Sequence, residues 1–378
     1  MSRPINILYL IDHFHGTGGT ERHLAHLVRH LPREQFRCLI VAFDLAPNRW
    51  VARIAASGTP VIHLPVMREY APAAVPRALE LSKLIRSNRI DIVQTFHQKS
   101  DTYGATIAKL SGVRHIVSSK RDTGEFKKPR HWLLNRCLRG LFEKVIVVAD
   151  SIGDIVAARE HIPRSRLVRI YNGVDENAFA PPTPLQRAQG RKRLGFSEED
   201  FVVGMVARFR PEKSHNVFFA GALAAAAAIP SLRVVTVGDG AQRAEFANRY
   251  ARECQEGRIQ IFGDVDDIVT YLHAMDVGCL LPGKNEGFSN SVLEKMAVGL
   301  PMIVSDVGGN AEAVAHGKNG LVIPPRDVDA FRDALTTIHA DPAERLRMGR
   351  ASRQLVEEKF TLQRMCQEHE ALYLSLMK

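Results

Sequence analysis

The stretch Asp276-Val-Gly-Cys-Leu-Leu-Pro-Gly283 leads through Glu286-Gly-Phe-Ser-Asn-Ser-Val-Leu-Glu294 and Lys295-Met-Ala-Val-Gly-Leu-Pro301 into Met302-Ile-Val-Ser305. An apolar run of strand length, a polar glycine loop, a helical pattern and a second apolar run follow one another. Fully apolar strands joined by helices imply a parallel sheet covered on both faces. With Ser289 opening the helix, Glu294 lies in its first turns and Glu286 on the loop before it. Both carboxylates then face the space beside the open N–H groups of the helix N-terminus, a natural site for a phosphate. One carboxylate near an anion and one on the approach loop suit a ligand carrying phosphate and sugar hydroxyls.

The same alternation runs outward in both directions. Strands are expected at 5–11, 37–43, 90–95, 115–118 and 144–148. After about residue 170 a second series follows at 201–206, 232–237, 259–262, 278–281 and 302–305. Helical patterns fall between them, at 20–31, 75–86, 101–110 and 290–298. The expected fold class is α/β, with two Rossmann-like, doubly wound domains and ligands at the carboxyl ends of the strands. A length of 378 residues agrees with two cores. The turn Asn172-Gly-Val-Asp175 is followed by Phe179-Ala-Pro-Pro-Thr-Pro184 and the basic residues 187–193, together read as an interdomain hinge. The domains are therefore placed at 1–172 and 173–359. A final helix, about 360–378 after a break at Phe360-Thr361, is expected to pack back on the first.

With 45% hydrophobic and 24% charged residues, the composition is that of an ordinary globular protein. No apolar run approaches the roughly 20 residues that span a bilayer. The N-terminal segment reads as a buried strand rather than a signal peptide. Five scattered cysteines without a CxxC pair argue for a reducing cytoplasm and against structural zinc. The net charge of +10 favours an anionic partner. Much of the excess lies between Lys120 and Lys144, where solvated helix faces account for it equally well. Nucleic acid is not the expected partner, because the basic residues are not interleaved with aromatics as base stacking requires.

Two further constellations sit at strand ends. His15-Gly-Thr-Gly-Gly-Thr-Glu-Arg22 follows the first strand, and its glycines permit close backbone approach to a phosphate. It is neither the dinucleotide fingerprint, whose third glycine position holds Glu21, nor a P-loop. An ordinary strand-to-helix turn stays open for it. Arg208-Phe-Arg-Pro-Glu-Lys213 follows the first strand of the second series. An arginine fork and a lysine point charge are the residue types that neutralise a diphosphate, although either alone is commonly just solvated.

On these residues the chain resembles the family 4 retaining glycosyltransferases. The matching pieces are Gly18-Gly19-Thr20-Glu21, Asn172-Gly173-Val174-Asp175, Arg208 with Lys213, and Glu286 with Glu294. Val307-Gly308-Gly309 with Glu312, and Asn319-Gly320-Leu321-Val322, continue the match. The resemblance implies the GT-B fold, two Rossmann-like domains facing across a cleft, the second binding a nucleotide sugar and the first its acceptor. It implies that Arg208 and Lys213 bind the donor diphosphate, Glu294 the ribose and Glu286 the donor sugar. Phe288, Ser289 and Asn290 would offer backbone N–H groups, and Gly18 and Gly19 a close backbone approach to the diphosphate. In Gln94-Thr-Phe-His-Gln-Lys-Ser-Asp101 it points to His97 as the active-site histidine, set against a neutral loop histidine, and places Arg121 on the acceptor side. No metal and no cofactor are implied; a UDP-sugar is favoured over a GDP-sugar.

The implied reaction is transfer of the sugar to an acceptor hydroxyl with retained configuration, in polysaccharide or glycolipid assembly. A GT-B sugar-nucleotide epimerase and a non-catalytic nucleotide-sugar binder are the alternatives. The acceptor would be a sugar or a lipid-linked molecule. The segment 129–142 mixes Trp132, Leu133, Leu138 and Phe142 with arginines. Such a helix either lies on an anionic membrane surface or packs on the core with a charged outer face. The expected location is cytoplasmic, with peripheral attachment to the membrane if the first of these holds.

Overall fold

The computed structural model describes residues 3–16 and 18–378; Thr17 of the glycine loop lies outside the described residues. The chain divides into two compact units, Met1–Asn172 with Gln363–Lys378, and Gly173–Leu362. The strands of the first unit are β1 (Ile5–Ile11), β2 (Phe36–Ala42), β3 (Val61–His63), β4 (Ile92–Phe96), β5 (His115–Lys120), β6 (Lys144–Val147) and β7 (Leu167–Arg169). They form one sheet in the order β3-β2-β1-β4-β5-β6-β7, every pair parallel. The second unit holds β8 (Phe201–Val206), β9 (Leu232–Val237), β10 (Ile259–Phe262), β11 (Val277–Leu280), β12 (Met302–Ser305) and β13 (Gly320–Ile323). Their order is β10-β9-β8-β11-β12-β13, again all parallel.

Each sheet is doubly wound and Rossmann-like. Chain order reverses between β1 and β4 in the first and between β8 and β11 in the second. Connections leave such a strand pair on opposite faces, which opens a crevice at their carboxyl ends. The apolar runs read from the sequence all became strands, and all but β10, at one edge of the second sheet, lie inside their sheets. The three strands it passed over, β3, β7 and β13, have only three or four residues each. Edge strands so short lack the apolar run that marks a buried one.

Side-chain alternation divides the second core between the two faces of the sheet. Phe201, Val203 and Met205 pack with Phe218, Phe219 and Phe331 on one side. Val202, Val235, Tyr271 and Met275 pack on the other. The basic residues 187–193 are not a hinge. They belong to the helix Pro184–Leu194 within the second unit. Arg187 and Arg191 grip the two oxygens of Asp276 at 2.6 and 2.7 Å, and buried Arg191 also donates to the carbonyls of Ser197, Glu198 and Asp200. Such a multiply bonded guanidinium fixes the segment rather than letting it bend.

The last helix, Leu362–Leu376, follows the break at Phe360-Thr361. Its Tyr373 hydroxyl donates to Gln94 Oε1 at 2.5 Å and lies 3.3 Å from that of Tyr9. His369 meets His23 edge-on at 5.1 Å, and burial pushes both imidazoles down into the neutral form. The helix thus closes over β1 and β4 of the first unit.

Part of the positive segment after residue 120 is drawn inward. Lys120 is buried, its Nζ 2.8 Å from Asp101 and 2.9 Å from Glu160. Glu160 also accepts from Lys127 at 2.8 Å and from Asn135 at 2.7 Å. Asp101 accepts from Thr95 and Ser118. Burial alone would raise the Glu160 carboxyl, but Lys120 and Lys127 outweigh it and bring it down to about 2. The two lysines therefore tie β5 to its neighbouring helices rather than forming an open basic patch.

Replacing Lys120 by methionine leaves two buried carboxylates short of a cation, and should destabilise the first unit by roughly 3–5 kcal/mol. Trp50 and Trp132, the chain's two tryptophans, both lie in that unit, so urea unfolding followed by their fluorescence reads this loss alone. In the native protein the stabilisation by Glu160 is complete above the ordinary carboxyl range and falls away as pH drops towards about 2. In Glu160→Gln that part of the acid sensitivity should be absent.

Candidate active site

In the second unit the reversal between β8 and β11 brings two loops together. The loop after β8 carries Arg208, a short 3-10 turn Pro211–Lys213 and Ser214 in the left-handed region. The loop after β11 carries Glu286 and runs to Ser289, the N-cap of the helix Asn290–Ala297. Lys213 Nζ lies 2.6 Å from Glu286 Oε2, with both side chains largely shielded. Main-chain bonds hold this geometry: Gly283 N–H donates to the Glu212 carbonyl at 2.9 Å, and Gly309 N–H to that of Gly287 at 2.7 Å. Gly308 has φ +60°, and a Cβ there would collide with the Glu286 carbonyl. Only glycine lets the loop after β12 press so closely on the carboxylate's own backbone.

The helix N-terminus completes this corner. Ser289 is extended, and its hydroxyl does not cap the first turn. Those backbone donors are therefore left unsatisfied by the cap side chain, and the dipole there favours an anion. Glu294 is buried in the second turn. The Phe288 side chain is buried against Phe360 at 5.2 Å, so only its backbone faces the loop. Ser291 Oγ donates to the Val206 carbonyl at 2.6 Å, which locks the helix to the end of β8. Behind Arg208, His215 stacks on Phe209 at 4.0 Å, and burial pushes its imidazole down to about 4.

In the first unit the reversal between β1 and β4 gathers Gly18, Gly19 and His97. Gly18 is the N-cap and Gly19 the first residue of the helix Gly19–His30. Buried Glu21 accepts from the N–H groups of His15 and Gly18, both at 2.5 Å. Its carboxylate shapes the glycine loop and occupies the Gly18 donor, which leaves that glycine a close-approach role only. Asp12 does the same for the next loop, accepting from the N–H groups of Lys99 and Ser100 at 2.7 and 2.6 Å. Burial pushes its carboxyl up to about 6.

His97 has φ +76°, a strained conformation for a non-glycine residue that recurs at functional sites. It stacks on His13 at 4.6 Å, and burial lowers its imidazole below the ordinary range. Arg121, after β5, donates through Nη2 to Asn172 Oδ1 at 2.5 Å; its buried Nη1 has no partner among the described residues. Burial pushes this guanidinium down to about 9. His97, Gln98, Arg121, Lys127, His131 and Trp132 line a cavity of about 320 Å³ in this unit.

The sequence reading missed Asp12 and His13, and took Glu21 as a motif member without its loop-shaping role. It also missed Gly238-Asp-Gly240 at the carboxyl end of β9. A Cβ on Gly238 would collide with the Ala207 carbonyl beside Arg208. A glycine pair directly after an apolar strand was the available signal. Among the described residues no group of three or more His, Cys, Asp or Glu side chains is placed to hold a metal ion.

Comparison with known proteins agrees with this architecture. Residues 186–355 match the family described as Glycosyl transferases group 1, and residues 17–178 match Glycosyltransferase Family 4. The UDP-Gal:alpha-D-GlcNAc-diphosphoundecaprenol alpha-1,3-galactosyltransferase of Escherichia coli is 28% identical over 314 residues, covering 79% of each chain. The N-acetyl-alpha-D-glucosaminyl L-malate synthase of Bacillus anthracis is 24% identical, covering 82% of this chain and 81% of that protein. Among solved structures, Anabaena HepE in complex with UDP superposes with a TM-score of 0.86 at 20% identity, covering 98% of this chain and all (100%) of that one. The fold is therefore GT-B, and with both halves matched by its models this chain belongs to the group 1, family 4 glycosyltransferases.

Proposed function

We propose that this glycosyltransferase moves a sugar from a nucleoside-diphosphate donor to an acceptor hydroxyl with retention of configuration, in glycolipid or polysaccharide assembly. The observation that carries the reading is the Lys213–Glu286 pair beside the helix N-terminus at the β8/β11 reversal. As the glycosidic bond breaks, negative charge develops on the leaving phosphate and positive charge on the sugar ring. Arg208, Lys213 and the backbone donors of Ser289 and Asn290 are of the right kind and placement to stabilise the phosphate. Lys213 would turn from Glu286 to the diphosphate as donor enters, which frees Glu286 to accept from sugar hydroxyls. Glu294 is assigned to the ribose. With both carboxylates used in recognition, we favour a front-face mechanism in which the leaving phosphate takes the acceptor proton.

In the first unit we assign Gly19, with the loop that Glu21 shapes, to donor approach and Arg121 to the acceptor side. His97, neutral and held in place by its strained backbone, is assigned a hydrogen bond to the sugar rather than a charge. A UDP-sugar is the favoured donor: the Escherichia coli relative is named for UDP-Gal, and the Anabaena structure holds UDP. That relative is also named for a diphosphoundecaprenol-linked acceptor, which supports a lipid-linked acceptor here.

The helix Pro129–Leu138 bears on where such an acceptor is met. It buries only Asn135. Phe142 is buried and Trp132 lies under Lys127 at 4.7 Å, so neither is an anchor. Phe126 and Leu133 are the exposed apolar residues of this region, 69% and 62% accessible, among exposed Lys128, Arg130, Arg136 and Arg139. We propose that this face rests on an anionic membrane. Among the described residues no helix is long and apolar enough to cross one.

Turnover across a panel of UDP- and GDP-sugars tests the donor site. Glu286→Ala should lower kcat/KM by about two to three orders of magnitude, the scale of losing a group that acts on the transition state. Near-normal turnover would remove the assignment. His97→Ala should lower kcat while donor KM stays within about twofold, a split that marks a role in the transition state; an unchanged kcat returns His97 to the loop. Flotation with phosphatidylglycerol vesicles should show binding at low salt that weakens at moderate salt and in Phe126→Ser/Leu133→Ser. No flotation at low salt ends the membrane reading.

A further inference from the structure

We infer that Lys295 is a positioning residue for the donor: from behind the helix Asn290–Ala297 its ammonium holds Ser291 and offsets Glu294 and Glu286, leaving Lys213 and the helix N-terminus for the diphosphate. The inference rests on the donor site proposed above. Lys295 is fully buried (0% accessible). Its Nζ donates to Ser291 Oγ at 2.6 Å, its one hydrogen bond among the described residues, and that hydroxyl donates to the Val206 carbonyl at 2.6 Å. The chain of bonds ends two residues before Arg208. It therefore connects a buried cation with both the phosphate-facing helix and the strand that carries the donor-loop arginine.

The interior makes room for this lysine deliberately. A Cβ on Gly278 of β11 would lie 2.7 Å from Lys295 Cδ and 2.8 Å from Met302 Sδ, so glycine opens the slot in which the aliphatic stem runs. Packing alone would be served as well by methionine, and an ammonium in such a place carries a desolvation penalty. What the charge supplies is electrostatic. The groups that face it are Glu294 on its own helix, Cys279 on β11, Lys213 on the loop after β8 and Glu286 on the loop after β11. Its own charge thus meets two carboxylates, which favour it, and one lysine, which opposes it. When Lys213 turns to the diphosphate, Lys295 still offsets the two glutamates from behind the helix.

Burial pulls the Lys295 ammonium down to about 8, although Glu294 pulls the other way. Burial also raises the Cys279 thiol, which stays neutral across this range. An arriving diphosphate favours the charged lysine, so binding above about pH 8 takes up a proton and affinity falls as pH rises. Well below pH 8 the lysine is already charged and contributes no pH dependence. A nucleotide's terminal phosphate titrates near pH 6. The ring N–H of uracil or guanine ionises only at the alkaline end of the range, for enzyme and variant alike, so the lysine's share is read as the difference between the two.

Calorimetric titration with UDP and with GDP, from pH 6.5 to 9.5 in buffers of differing ionisation heat, tests the inference. The unmodified enzyme should bind roughly tenfold more weakly at pH 9.5 than at pH 7, with proton uptake centred on about pH 8–9. Lys295→Met keeps the volume, and should bind roughly tenfold more weakly at pH 7 and lack the slope and proton uptake centred on about pH 8–9, keeping only the base's own titration at the alkaline end. Ser291→Ala removes the acceptor and should shift the slope to lower pH, which tests the same link should the methionine variant fail to fold. Lys295→Met with unchanged affinity and an unchanged pH slope overturns the inference. Failure of the unmodified enzyme to bind either nucleotide overturns the donor reading, and the inference with it.

Discussion

Parallel strands buried on both faces must be joined by helical crossovers, and where chain order reverses those crossovers part and leave a crevice. That topological constraint governs both sheets here. It puts the loops after β1 and β4 side by side in the first unit, and those after β8 and β11 side by side in the second. Glu286 lies 73 residues from Lys213 in sequence, yet their side chains meet at 2.6 Å because β8 and β11 are neighbours. The surrounding main-chain bonds and the glycine at 308 hold the carboxylate where the reversal has put it.

Charge is managed differently at the site and beneath it. Around Asp101, Lys120 and Glu160 the buried ions are saturated with partners, which makes that network a structural clamp on the first unit. Around Glu286 the contacts are of another kind. Among the described residues Lys213 pairs with one carboxylate and Lys295 with one hydroxyl, and the Ser289 side chain does not cap the helix donors. A saturated network resists rearrangement, whereas a sparsely bonded one can exchange partners when an anion arrives. This contrast separates the ion pairs that hold the fold from those suited to chemistry.

Legibility in the sequence followed burial. Central strands such as β1, β8 and β12 are continuous apolar runs, so their positions were plain; β3, β7 and β13 are too short and too mixed to stand out. Arg208, Lys213, Glu286 and Glu294 were readable as candidates because each adjoins such a run. Asp12 and Glu21 were not readable in their roles, since a carboxylate that accepts backbone N–H groups carries no sequence mark distinguishing it from a solvated one. The same is true of Lys120 and Arg191. Both read as surface charge within basic segments, and both are buried by contacts with Asp101, Glu160 and Asp276, residues distant in the chain.

The sequence alone determined the alternation of strand and helix, the doubly wound class and the glycine- and charge-bearing loops at the strand ends, because periodicity and turn chemistry are local properties. Only the tertiary structure decided which charges face one another. Strand order sets which loops adjoin, so it made Glu286 the partner of Lys213, turned Lys120 inward as a clamp, and buried Lys295 under the helix against the slot left by Gly278. Electrostatic strength depends on distance and burial, and neither exists until the chain has folded.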